Sequence, residues 1–84
     1  MYQVKVLPKA EKQLDKIPLE YRQRIIDTIM DLRFDPFCGK KLLGKRKDQY
    51  SIRCWPYRIL YEIYKNQILV LVTEVGHRQG VYNK

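Results

Sequence analysis

Tyr50-Ser51-Ile52-Arg53-Cys54-Trp55-Pro56-Tyr57-Arg58-Ile59-Leu60-Tyr61-Glu62-Ile63-Tyr64 is the stretch whose reading settles the fold. It is dense in aromatic and β-branched side chains, which favour a pleated, half-buried surface. Only Trp55-Pro56 interrupts it. If that dipeptide supplies the two central residues of a turn, Cys54 pairs with Tyr57, Arg53 with Arg58 and Ile52 with Ile59. The alternation supports this register independently, because it gathers Tyr50, Ile52, Cys54, Tyr57, Ile59, Tyr61 and Ile63 on one face. Proline at the second central position suits a cis-proline turn, with trans alternatives open.

Towards the C-terminus, residues 68–75 (Ile-Leu-Val-Leu-Val-Thr-Glu-Val) read as a third strand. A turn at Lys65-Asn66 would pair Tyr64 with Gln67, hence Ile59 with Val72 and Arg58 with Thr73. The opposite face would then carry Arg53, Arg58 and Thr73 in one row. Like charges directly opposed cost a sheet about 0.2–1 kcal/mol. An anionic ligand would give two adjacent arginines a reason to be there.

Towards the N-terminus, residues 37–48 read as a loop containing Gly39 and Gly44, with Leu42 and Leu43 as its anchors. Asp35-Pro36 stops a helix expected over about residues 19–33, since the residue before proline is pushed out of the α region. That helix has Tyr21 or Arg22, then Ile25, Ile26, Ile29 and Leu32, on its apolar face. A shorter helix is expected over about residues 8–16, where Pro8 suits the first helical position and Ala10, Leu14 and Ile17 recur at helical spacing. So short a turn at Pro18 makes the two a helical hairpin. Residues 2–7 alternate as a strand. The expected fold is α+β: an N-terminal strand, a helical hairpin and a three-stranded antiparallel meander, forming one sheet.

The chain has 84 residues, 45% of them hydrophobic, enough for one core and a single domain over residues 1–84. The start, Met1 to Val6, lacks the apolar region of a signal peptide, and no apolar run approaches the roughly 20 residues that span a bilayer. A cytoplasmic location and no membrane partner are therefore expected. Cys38 and Cys54 have no metal-ligand spacing and read as ordinary thiols. Net charge is +8, and residues 40–58 hold seven basic residues against the single acid Asp48. Lys40, Lys41, Lys45, Arg46 and Lys47 form the loop cluster, which points to a polyanionic partner.

His77 shares the parity of Thr73, so an unbroken strand would bring it to the Arg53 and Arg58 row, with Arg78 and Tyr82 following. Three guanidiniums, an imidazole and a phenol, with no carboxylate pair and no Cys/His metal box, suit metal-free phosphodiester cleavage. The arginines would hold the phosphate and stabilise its developing charge while His or Tyr moves protons. Tyr82 stacked on a base would fit single-stranded RNA.

The chain as a whole resembles the RelE/ParE superfamily of toxins from bacterial and archaeal toxin–antitoxin pairs, and more closely its RelE branch of ribosome-dependent mRNA endonucleases. The resemblance runs through Tyr2-Gln3-Val4, Ala10 and Leu14, Asp35-Pro36, Lys41-Leu42-Leu43-Gly44, Tyr50-Ser51-Ile52-Arg53, Tyr57-Arg58-Ile59-Leu60-Tyr61, Val75-Gly76-His77-Arg78 and Val81-Tyr82. It implies a sheet wrapped by the helical hairpin, cleavage of mRNA in the ribosomal A site without a cofactor, and 2′,3′-cyclic phosphate and 5′-OH ends. It also implies a cognate antitoxin and a toxin–antitoxin hetero-oligomer. By the same resemblance the residue matching Arg53 helps bind or activate the substrate, Arg58 and Arg78 stabilise the phosphate, and Tyr82 stacks on or orients the nucleotide. His77 is a general acid or base where relatives carry another basic residue. Two positions depart from the pattern: Ser51 stands where a catalytic lysine is found, and Leu43 where an additional arginine occurs. His77 or a loop lysine would then substitute. The alternatives are a ParE-like inhibitor of DNA gyrase without nuclease activity, or a catalytically weak RNA-binding relative.

Overall fold

The computed structural model describes residues 1–42 and 49–77. In chain order these form β1 (Gln3–Val6), α1 (Pro8–Asp15), α2 (Leu19–Asp31), a 3-10 turn (Pro36–Cys38), β2 (Lys40–Lys41), β3 (Gln49–Cys54), β4 (Tyr57–Tyr64), a second 3-10 turn (Lys65–Gln67) and β5 (Leu69–His77). The strands make one sheet in the order β1-β5-β4-β3-β2. β1 runs parallel to β5 and the other neighbours are antiparallel. The expected α+β fold is present, with β2 as an additional edge strand inside the segment read as loop. Two residues are too short to show a period of two.

Pro8 opens α1, and Ala10, Leu14 and Ile17 are buried as their spacing requires. The end of α1 leaves carbonyls without helical partners. The Arg22 guanidinium donates to two of the carbonyls there, Asp15 O and Ile17 O, each at 3.0 Å. In α2 the buried line is Ile25 and Ile29, continued by Leu32, while Ile26 is partly exposed. This helix stops two residues sooner than expected. Leu32, Arg33 and Phe34 close it with N–H donation to Ile29, Met30 and Asp31 carbonyls, three residues back in each case.

Both helices cover the sheet face formed by Ile59, Tyr61 and Ile63 of β4 with Val70, Val72 and Val75 of β5. Each such side chain taken from water is worth about 1.5–3 kcal/mol before chain entropy is charged against it. The Tyr61 hydroxyl enters this layer. Tyr61 Oη donates to Pro36 O at 2.6 Å, and burial, aided by the nearby Cys38 thiol, pushes its pKa well above the usual tyrosine range. Tyr61 is thus held as a neutral donor. Gly39 leaves room for that hydroxyl: a Cβ there would collide with Tyr61 Oη and lie 2.9 Å from Ser51 O.

The β3–β4 hairpin has the expected register, with Arg53 opposite Arg58 and a cis Trp55-Pro56 peptide at the turn. The β4–β5 register differs from the expected one. Its connection is longer, because Lys65–Gln67 form a 3-10 turn and Ile68 adopts the left-handed conformation at φ 49°. Tyr64 consequently meets Leu69 instead of Gln67. Further along, Tyr61 faces Val72 but Leu60 faces Glu74, so an irregularity absorbs Thr73. Beyond it every side chain of β5 changes face relative to the expected alternation.

Candidate nucleic-acid interface

Ile52 and Ile59 point into the helix-covered layer, so their neighbours Arg53 and Arg58 emerge on the opposite face. Directly opposed residues of an antiparallel pair hold their Cβ atoms about 4.5–5.5 Å apart on the same side. The two arginine side chains therefore start side by side on that face. Arg53 is exposed and Arg58 half-buried. On the β5 side the residue opposite Arg58 is Gly76, which adds no side chain to the row.

The next row down the sheet is Glu74, Leu60, Ser51 and Lys40. Ser51 is only 3% exposed, whereas Lys40 on the edge strand is exposed. Glu74 forms an ion pair with Lys9 of α1 at 3.3 Å. Below this row, Gln49 Nε2 donates to Thr73 Oγ1 at 3.4 Å, and Thr73 Oγ1 donates to Leu60 O at 3.3 Å. Thr73 is therefore not in the arginine row; it ties β3, β4 and β5 together beside it.

His77 also departs from its expected place. It lies opposite Tyr57, on the helix-bearing side of the sheet, with ring centroids 5.8 Å apart and planes at 79°. Tyr57 in turn meets Tyr21 of α2 at 5.7 Å. The cause is the irregularity at Thr73, which reverses the parity on which His77 was expected to join the arginines. His77 does lie at the same end of the sheet as Arg53 and Arg58. Val75, two residues earlier, donates its backbone N–H to Gln13 Oε1 at 2.7 Å, where the shorter β1 no longer offers a partner.

The edge strand divides the predicted loop lysines. Lys40 shares the arginine face through its pairing with Ser51, while Lys41 pairs with Tyr50 and belongs to the other side. Sequence periodicity could not find the Lys40–Ser51 adjacency, which depends on a two-residue strand. Lys45, Arg46 and Lys47, like Leu43, Arg78 and Tyr82, lie outside the described residues. Cys38 and Cys54 are free thiols, and partial burial followed by the Asp35 carboxylate pushes the Cys38 pKa up. Among the described residues no cluster of three or more His, Cys, Asp or Glu could hold a metal ion. Among them, too, no helix is long and apolar enough to cross a membrane.

A five-stranded sheet with a helical pair packed on one face is the fold of several solved toxins. The toxin–antitoxin complex RelBE2 from Mycobacterium tuberculosis matches at 29% identity and TM-score 0.85, over 92% of this chain and 98% of that one. The isolated RelE toxin of E. coli shares the fold at 24% identity and TM-score 0.78, over 98% and 92%. The archaeal RelE–RelB complex from Pyrococcus horikoshii does so at 22% identity and TM-score 0.78, over 92% and 94%. Among curated protein sequences none matches the chain. The model of the ParE toxin of type II toxin–antitoxin systems matches residues 4–82. The chain belongs to this ParE toxin family, within the RelE/ParE superfamily, and its structure is like that of RelE.

Proposed function

We propose that this type II toxin is an mRNA endonuclease acting in the ribosomal A site. The observation that carries the proposal is the direct opposition of Arg53 and Arg58 on the face turned away from the helices, with Lys40 on the same face one row away. Two arginines opposed on neighbouring strands can both reach one phosphodiester and donate charge-assisted hydrogen bonds to its oxygens. In the proposed reaction the RNA 2′-OH attacks the adjacent phosphate and loses its proton to a base. The P–O5′ bond breaks, the departing 5′ oxygen takes up a proton, and a 2′,3′-cyclic phosphate and a 5′-OH remain. Arg53 and Arg58, joined by Arg78, bear the charge that grows on the phosphoryl oxygens. Tyr82 stacks on or orients the nucleotide.

Ser51 occupies the position where the resemblance places a lysine, and its burial keeps it from that task. Of the two substitutes, Lys40 is supported by its pairing with Ser51 on the arginine face. His77 would have to reach around the end of β5 from beside Tyr57. The proposal thus places Lys40 at the phosphate, and His77 at the rim as a secondary proton carrier. The remaining basic loop residues Lys41, Lys45, Arg46 and Lys47 would attract the RNA backbone.

A cognate antitoxin belongs to the proposal, as the M. tuberculosis and P. horikoshii relatives were solved in complex with theirs. The family match itself favours a second reading, inhibition of DNA gyrase without RNA cleavage. Mapping RNA 5′ ends during translation after induction, alongside a plasmid supercoiling assay, separates the two. New ends inside reading frames with supercoiling intact support the endonuclease. Intact mRNA with failed supercoiling would establish the gyrase inhibitor instead.

A further inference from the structure

A second feature lies at the other end of the sheet. Between β2, the start of β3 and the β4–β5 connection opens a cleft of about 370 Å³ whose walls include Lys41, Tyr50, Tyr64, Lys65, Asn66 and Gln67. Arg58 and Tyr64 are six residues apart along β4, so at about 3.3 Å per residue roughly 20 Å separates this cleft from the arginine row. No carboxylate appears among the described wall residues.

The walls are held by their neighbours. Lys65 Nζ sits over the Phe37 ring, 5.4 Å from its centroid. Phe37 meets Tyr50 edge-on at 6.1 Å, and Tyr50 stacks on Tyr61 at 5.7 Å with planes 18° apart. Tyr64 Oη donates to Glu62 at 2.6 Å. The cleft walls therefore combine two lysines from separate elements, two tyrosines and two side-chain amides. Its volume is at the small end of ligand pockets, which run from about 300 to 1,000 Å³. That leaves room for one ring and its attached phosphate.

The geometry points to a nucleotide subsite, with the phosphate between Lys41 and Lys65, the base against a tyrosine ring and the Asn66 and Gln67 amides on the base edge. Aromatic faces and amides complement a nucleobase, while the lysines complement its phosphate. A purely acidic peptide would use the lysines alone. The ligand is either a free nucleoside monophosphate or one nucleotide of an RNA strand. Cleavage at the arginine row is not required for this binding.

The test follows backbone amide shifts in the full chain carrying Arg58→Ala, which separates the cleft from the arginine row. It is titrated in turn with the four nucleoside 5′-monophosphates, a 2′-O-methyl RNA hexanucleotide and a hexaglutamate peptide. Binding should move the Asn66 and Gln67 amides. Lys65→Glu should weaken that binding about tenfold or more, as expected on losing a charge-assisted contact, and lower the salt dependence by about one phosphate contact. Mononucleotides binding as tightly as the hexanucleotide identify a free nucleotide as the ligand, and a response to the hexanucleotide alone identifies an RNA strand. The inference is overturned if only hexaglutamate moves these amides, if no ligand does, or if a correctly folded Lys65→Glu chain binds as well as its parent.

Discussion

β4 belongs to two hairpins built by different means. With β3 it is joined through the short Trp55-Pro56 turn and keeps six consecutive pairs in step, from Gln49 opposite Glu62 to Cys54 opposite Tyr57. With β5 it is joined through a 3-10 turn and a left-handed Ile68, and it loses step between Leu60 and Tyr61. The uninterrupted hairpin sets Arg53 directly opposite Arg58. The irregular one turns His77 to the far side and sets Gly76 opposite Arg58. A β-irregularity here does the work of a substitution, because one absorbed residue changes the face of every side chain after it.

The largest effect on this contrast should come from removing half of the regular hairpin's pair. Arg58→Ala is expected to lower RNA cleavage by about 10²–10³-fold, the usual cost of losing one transition-state donor, while circular dichroism shows the fold retained. Cleavage within a fewfold of the parent would remove Arg58 from the site. Next is the edge of that hairpin. Gly39→Ala forces a methyl group against Tyr61 Oη and Ser51 O, and thermal denaturation should show a loss of about 1–3 kcal/mol. An unchanged midpoint would mean that Gly39 has no packing role.

The irregular hairpin responds in the opposite direction. Ile68 is exposed and β-branched, yet has a positive φ. A side chain there costs about 1–2 kcal/mol, partly offset by the unfolded-state entropy of its replacement. Ile68→Gly should accordingly stabilise the chain by up to about 1 kcal/mol in urea titration, and destabilisation would refute the assigned strain. The smallest effect is expected at His77. Because its ring packs on Tyr57, His77→Ala should reduce cleavage by less than about tenfold, below the usual contribution of a positioned acid or base. A loss of several hundredfold, together with a changed pH–rate profile, would bring His77 back to the centre of the reaction.

The first hairpin was legible because three signals agreed: aromatic and β-branched density, a turn dipeptide and one consistent alternation. Arg53 and Arg58 could therefore be placed opposite each other from sequence alone. The helices were legible for the same reason, with Ala10, Leu14, Ile25, Ile29 and Leu32 buried at their helical spacing. His77 and Thr73 were not. Their positions depend on the length of the connection after Tyr64 and on one extra residue in β5, and neither Ile68 nor Thr73 announces that geometry by its type. Lys40 was visible as a charge but not as a neighbour of Ser51, since strand β2 is set by pairing with β3 and not by its own two residues.

The central claim is that Arg53 and Arg58 are opposed for the sake of a phosphate and at the expense of the sheet. The penalty, about 0.2–1 kcal/mol, is smaller than one buried isoleucine provides, so the fold can carry it. Thermal denaturation of the wild-type chain and Arg53→Gln, each at low salt with and without a 2′-O-methyl RNA oligonucleotide, measures both halves at once. The account predicts that Arg53→Gln alone is the more stable protein, and that RNA raises the midpoint of the wild type well above that of the variant. A variant that is less stable without RNA and equally stabilised by it would contradict the claim.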